Sequence, residues 1–158
     1  MLTLLLALYL SGAPATPAEQ PLTAFMLQPE RVQLFLADLD FSFEKPSKKD
    51  RRPRVHGFVF TRGGPELKEE ERQALAKTWV SPKDVRPTDP KRCTFNPDVA
   101  LRFSHGNAWV DAVVCFGCGD IIFFDTKGQP LDGGSFRDLE LIRKLAVKAF
   151  PKENFRGE

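Results

Sequence analysis

The chain has 158 residues, 42% of them hydrophobic and 28% charged, a length and composition that favour one globular domain with a substantial core. Its formal net charge of +2 is too small to indicate a nucleic acid or a membrane surface as a partner. Fourteen phenylalanines stand against one tyrosine and two tryptophans, which predicts an interior packed with phenylalanine.

Residues 1–18 are predicted to be an export signal. The apolar run LTLLLALYL is too short to span a membrane and has the length of a signal-peptide core. A stretch of small residues follows, in which Ala13–Ala15 and Ala18 offer cleavage positions. No Lys or Arg precedes the apolar run, and a buried N-terminal strand or helix is the alternative. We expect an exported protein, periplasmic or extracellular, with no transmembrane anchor and a single domain over residues 19–158.

Two strands and a basic loop are predicted in the next part of the chain. Alternating apolar residues predict a strand over Arg31–Phe43, for which a helix is the alternative. The segment Glu44–Arg54 is rich in Lys and Arg but lacks interleaved aromatic residues, which is more typical of a solvated loop than of a surface for an anionic polymer. A second strand is predicted over Val55–Thr61, and Gly63–Pro65 is expected to end it.

A helix and a long linker are predicted in the middle of the chain. Glu66–Lys77 has acidic residues at its start, good helix formers throughout and a narrow apolar stripe. Its acidic run Glu69–Glu71 is interpreted as solvated, because consecutive helical residues point in different directions and do not converge on a metal ion. Thr78–Arg92 contains three prolines and is expected to be a loop.

The segment Val99–Phe116 is predicted to form a hairpin at the centre of the fold. Apolar and polar residues alternate on both sides of the sequence SHGN, which suits a tight turn. A turn at His105–Gly106 pairs Leu101 with Val110. A turn at Gly106–Asn107 moves each partner by two residues and keeps the same side chains on one face.

The C-terminal part is predicted to contain a buried strand and a helix. Ile121–Phe124 is wholly apolar, as expected of a strand buried on both faces. Asp132–Gly134 is expected to turn the chain, and Ser135 to cap a helix over Phe136–Phe150 with one apolar stripe. The predicted fold class is α+β, a mostly antiparallel sheet that meanders around the central hairpin, with two helices packed on one face.

The three cysteines are candidates for a disulfide or a metal site. The first hairpin register, extended along the strands, places Cys93 opposite Cys118, with Cys115 close by. An oxidising compartment favours a structural disulfide from Cys93 to Cys118 or Cys115. Such a bridge would close a loop of about 25 residues and contribute about 3 kcal/mol to stability.

Two other interpretations of the sequence CFGC remain open. A thiol–disulfide redox motif usually lies at a helix N-terminus, whereas here a strand pattern follows it. A zinc site would use Cys93 as a third ligand and His56 or Asp120 as a fourth. His105 is unsuitable because the hairpin tip lies roughly 30 Å from the cysteines. No cofactor is expected, with zinc as the alternative.

The sequence contains no motif of a hydrolase, a nucleotide-binding protein or a metalloprotease. Asp111 is expected to form an ion pair with Arg102 across the hairpin, beside Trp109, and not to act as a catalytic acid. We therefore expect an exported, non-enzymatic binding or structural domain of the cell envelope. The alternative is a thiol-redox or zinc-binding protein that acts through CFGC and Cys93.

The cysteine-containing segment resembles small uncharacterised bacterial exported proteins with a C-x-F-x-P and C-F-x-C core. The pattern consists of Cys93, Phe95 and Pro97, then Leu101–Phe103, then Val114-Cys115-Phe116 and Cys118. The resemblance extends to about Phe124 and implies a shared core, with no activity attached to it.

Overall fold

A computed structural model describes residues 22–38, 54–79, 85–86, 95–136 and 139–155. Their helices and strands, in chain order, are α1 (Leu22–Leu27), β1 (Arg31–Ala37), β2 (Arg54–Val55), β3 (Phe58–Glu66), α2 (Glu69–Trp79), β4 (Val85–Arg86), β5 (Val99–His105), β6 (Ala108–Cys115), β7 (Asp120–Phe124), β8 (Pro130–Phe136) and α3 (Glu140–Ala149). The predicted α+β class is confirmed. The predicted export signal, most of the basic loop and Cys93 lie outside the described residues.

The strands of the described ranges form one antiparallel sheet. Their order is β2-β3-β1-β5-β6-β7-β8-β4, and every pair of neighbours is antiparallel. The two-residue strands β2 and β4 lie at the edges, beside six longer strands. Strands β5 to β8 follow one another as a meander, which agrees with the expected arrangement around the central hairpin.

The helices pack on one face of this sheet. Because strand residues alternate between faces, Leu34, Leu101 and Ala112 point into the same fully buried core. Helix α1 contributes Phe25 and Met26 to it, and α2 contributes Leu75. Helix α3 adds its apolar stripe of Ile142, Leu145 and Ala146. Along the described chain, no helix has both the length and the apolar character needed to cross a membrane.

The central hairpin adopts the second of the two predicted registers. Leu101 pairs with Ala112 and Val99 with Val114, so the turn is Gly106–Asn107. Gly106 has φ of 56° and occupies the first turn position, where tight hairpins favour glycine, whereas the other register would place His105 there. The predicted placement of Cys93 opposite Cys118 depended on the other register, so the observed register does not support it.

The predicted strand over Val55–Thr61 is two strands joined by a turn. His56 and Gly57 have φ of 51° and 88°, and Val55 pairs with Phe58 across them. Positive φ at both turn residues is typical of a two-residue hairpin, where Asn-Gly is the usual sequence. His56 takes the place that asparagine most often holds, which is why alternation alone did not reveal the turn.

Glycines that were predicted to end a strand or to turn the chain lie inside strands. Strand β3 continues through Gly63–Pro65. A Cβ added at Gly64 would lie 2.9 Å from Phe150 Cζ, so the absence of a side chain lets β3 pack closely against the Phe150 ring. Strand β8 includes Asp132–Gly134 and also Ser135. Helix α3 therefore begins at Glu140, later than predicted and without a serine cap.

Candidate functional site

The sequence CFGC forms the connection between β6 and β7. Cys115 is the last residue of β6, and a disulfide joins it to Cys118, with 5.3 Å between their Cα atoms. The backbone N–H of Cys118 donates to Cys115 Sγ at 3.1 Å. Gly119 N donates to Cys115 O at 3.0 Å, and its φ of 68° lets the chain reverse into β7. The two sulfurs are thus held inside one tight turn.

The two cysteines differ in their exposure to solvent. Cys115 is buried, whereas Cys118 is partly exposed. Between them, Phe116 is buried and meets the ring of Phe155 edge-on at 5.7 Å, and the Arg143 guanidinium carbon lies 4.7 Å from the centre of the Phe116 ring. Phe116 therefore anchors the turn in the main core.

A buried carboxylate supports the base of the turn. Asp98 has no exposed surface, and its Oδ2 accepts the backbone N–H of Phe116 at 2.7 Å. Its own N–H donates to Val114 O at 2.8 Å. Asp98 therefore holds the end of β6 through both its backbone and its side chain, which fixes where the cysteine turn starts.

The structure corrects the expected disulfide. Cys115 is bonded to Cys118, so neither sulfur is available to Cys93, which lies outside the described residues. The physical reason is local. A three-residue separation inside a turn brings the two sulfurs together without any long-range register, whereas the Cys93 pairing depended on a register that the hairpin does not have.

The residues considered for zinc are separated in the described part of the chain. Asp120 lies opposite Cys115 in the β6–β7 ladder, whereas His56 lies beside Asp111. His105 is at the hairpin tip, 3.8 Å from Glu30 Oε1. Among the described residues, no three His, Cys, Asp or Glu side chains are grouped to hold a metal ion. A zinc site that includes Cys93 stays a prediction.

A second group of polar side chains lies on the sheet face opposite the helices. We call His56, Arg102 and Asp111 the charge cluster. The expected ion pair is confirmed: Arg102 donates from Nε to Asp111 Oδ1 at 2.7 Å and from Nη2 to Oδ2 at 2.8 Å. The guanidinium carbon lies 5.1 Å from the ring centre of Trp109 and 5.5 Å from that of Phe35. Its hydrogen bonds to Asp111 raise the pKa of Arg102 above its ordinary value.

His56 completes the charge cluster from the β2–β3 turn. Its ring stacks on Phe124 with 4.1 Å between centres, and its Nε2 lies 3.3 Å from Asp111 Oδ2. The contact becomes ionic only when His56 is protonated, and the buried Nε2 has no hydrogen-bond partner among the described residues. Burial lowers the pKa of His56, and the attraction of Asp111 only partly offsets that effect.

Sequence reasoning named His56 only as a weak zinc candidate and missed its place beside Asp111. The dipeptide His56-Gly57 between Val55 and Phe58 is the sequence feature that could have revealed the turn, because X-Gly between strand residues is typical of a hairpin. No protein-family model matches the chain, and none of the curated proteins or solved structures compared with it matches either.

Proposed function

We propose that this protein is an exported α+β domain whose Cys115–Cys118 pair undergoes reversible thiol–disulfide exchange with a partner dithiol. The observation that carries the proposal is the pairing itself, in which a buried cysteine is bonded to a partly exposed cysteine within a single turn. Such a bond can be attacked from one side and can close again without a large movement of the chain.

Loop length argues against a mainly structural role for this bridge. A disulfide stabilises chiefly by restricting the unfolded chain, and the effect grows with the length of the loop that it closes. With a sequence separation of 3, the same relation gives about 2 kcal/mol, compared with about 3 kcal/mol for the longer loop that Cys93 would have closed. The Cys115–Cys118 bond is the less effective way to stabilise the fold.

The geometry indicates the direction of the exchange. A partner thiolate attacks Cys118 Sγ and forms a new S–S bond, while the Cys115–Cys118 bond breaks and leaves its electron pair on Cys115 Sγ. The N–H of Cys118, 3.1 Å from that sulfur, favours the resulting thiolate. The second thiol of the partner then displaces Cys118, so that the partner dithiol is oxidised and the protein carries two thiols.

A non-enzymatic binding or structural domain of the envelope is the second candidate. The burial of Cys115 and the hydrogen bond from Phe116 N–H to Asp98 favour this candidate. A turn held this firmly suits a bridge whose sole role is to fix the end of β6. The two candidates differ in how easily the bond is reduced. Structural disulfides of exported proteins typically have reduction potentials below about −300 mV.

Equilibration of the purified protein in thiol–disulfide buffers, with the free thiols counted by alkylation and mass, tests the proposal. We expect a midpoint above about −300 mV and oxidation of a dithiol test peptide that Cys118→Ser abolishes. Cys93→Ser is the matched control and should keep both properties. A bond that stays closed below that potential, or a peptide oxidised equally by Cys118→Ser, would support the non-enzymatic candidate.

Export is a separate part of the proposal and has its own test. The chain is produced in a bacterial host, and the intact mass of the fractionated protein is measured. We expect a mature chain that begins after Ala15 or Ala18. Full-length protein retained in the cytoplasm would contradict export, and with it the oxidising surroundings that the disulfide requires.

A further inference from the structure

We propose that the His56–Gly57 turn is an acid-sensitive element of the fold. When His56 takes up a proton, the turn leaves its place beside Asp111 and Phe124, and the β2–β3 hairpin opens. The inference rests on the charge cluster alone and is independent of the cysteine chemistry.

The His56 ring is enclosed on several sides. Its side chain is 10% exposed, Phe124 covers one ring face, and Asp111 lies at its Nε2 edge. On the Nδ1 side, the turn after β7 packs so closely that a Cβ added at Gly128 would lie 2.8 Å from Nδ1. A protonated ring would therefore carry its charge in a place with little access to water, and burial of an incompletely paired charge is costly.

The carboxylate that contacts His56 already has a cationic partner. Asp111, from β6, already binds Arg102, from β5, through both carboxylate oxygens. Asp125, in the turn after β7, attracts a protonated ring, but its Oδ1 accepts the N–H groups of Lys127 and Gln129 at 2.8 Å each. Arg102 repels the added charge. Protonation would bring a second cation to a carboxylate that one cation already neutralises.

The β2–β3 hairpin is the part of the sheet most easily displaced by such a charge. Within the described residues, its ladder consists of two residue pairs, Arg54 with Val59 and Val55 with Phe58. His56 also holds φ of 51°, a left-handed conformation that is unfavourable for a residue with a Cβ. Short ladders with strained turns open locally at a low free-energy cost.

The sign of the pH dependence follows from burial. Since the folded state holds the pKa of His56 below the ordinary value of about 6.5, the hairpin is fully protected above that pH. Protection is lost as the pH falls from about 6.5 toward the lower folded pKa, because the open form binds the proton more tightly. Release of one proton on closing limits the effect to about a tenfold change per pH unit.

Amide hydrogen exchange by NMR from pH 7.5 to pH 5.5 tests the inference on the whole protein, with the pKa of His56 measured on the same samples. We expect the protection of the β2–β3 amides to fall by up to about tenfold per pH unit below pH 6.5, while the amides of the β5–β6 hairpin keep theirs. Asparagine tolerates positive φ and does not titrate, so this pH dependence should disappear in His56→Asn. His105→Asn, at the other histidine, is the matched control and should retain it.

Several results would overturn the inference. A His56 pKa at or above 6.5, or stronger protection of the hairpin in acid, would mean that protonated His56 stays and pairs with Asp111. Loss of protection that persists in His56→Asn would assign the effect to another group. If that variant did not fold, the pKa and the exchange of the wild-type protein would still decide the question.

Discussion

Arg102 and Asp111 face each other across the β5–β6 hairpin and are joined by two hydrogen bonds of 2.7 and 2.8 Å. The pair is asymmetric, because the Asp111 side chain is 1% exposed and that of Arg102 is 32% exposed. A carboxylate left alone at this site cannot be hydrated, whereas the guanidinium can reach water.

This asymmetry predicts unequal effects of removing either partner. Arg102→Gln leaves an uncompensated buried carboxylate and should lower the free energy of unfolding by about 3–5 kcal/mol. Asp111→Asn leaves a cation that can be solvated and should cost about 1–3 kcal/mol. Urea unfolding at pH 7 measures both. The opposite order would mean that Asp111 is better hydrated than its burial implies.

The main core predicts large losses at two strand positions. Leu101 in β5 is 0% exposed and Phe123 in β7 is 4% exposed, so Leu101→Ala and Phe123→Ala should each cost about 2–5 kcal/mol. Val147→Ala on the outer side of α3, where the side chain is 40% exposed, is the control and should change stability by less than about 0.5 kcal/mol. Equal effects in denaturant melts would show that the strands do not form the core.

Close packing of β3 on the C-terminal residues predicts a specific intolerance at Gly64. A Cβ there would lie 2.9 Å from Phe150 Cζ, in a buried ring that cannot move freely, so Gly64→Ala should cost about 1–3 kcal/mol. Gly63→Ala is the matched control and should cost less, because its Cβ would lie 3.2 Å from the amide end of Gln33 and in ordinary contact with the Phe35 ring, 3.6 Å away. Thermal unfolding compares the two, and a greater loss for Gly63→Ala would contradict this packing.

The cysteine connectivity predicts one bridged pair of cysteines and one cysteine outside the bridge. Peptide mapping without reduction should find Cys115 linked to Cys118 and Cys93 as a thiol, since three cysteines and one internal bridge leave one over. Metal analysis of the same sample tests the zinc alternative. Three free thiols with one bound zinc ion per chain would replace the disulfide with a metal site, and a Cys93–Cys118 peptide would restore the earlier pairing.

Local patterns were sufficient for the elements whose character depends on neighbouring residues. Period-two alternation located β1, β5 and β6, and a wholly apolar run located β7. An acidic start and good helix formers located most of α2, and the three- and four-residue spacing of apolar residues located most of α3. The Arg102–Asp111 pair was also predictable, because the two candidate turns both place these side chains on the same face of the hairpin. Helix α1 was missed, since its six residues are too few for a periodic pattern to develop.

The sequence by itself determined the fold class and the central hairpin. It also determined the CFGC segment and the Arg102–Asp111 pair, which the candidate sites use. Only the tertiary structure decided the hairpin register, the pairing of Cys115 with Cys118 and the place of His56 beside Asp111. A shift of two residues keeps every apolar side chain on the same face, so hydrophobic patterning cannot distinguish the registers. The conformation of Gly106, which has positive φ at the first turn position, does distinguish them. His56 reaches Asp111 from the β2–β3 turn, in a long-range contact that no spacing within the chain encodes.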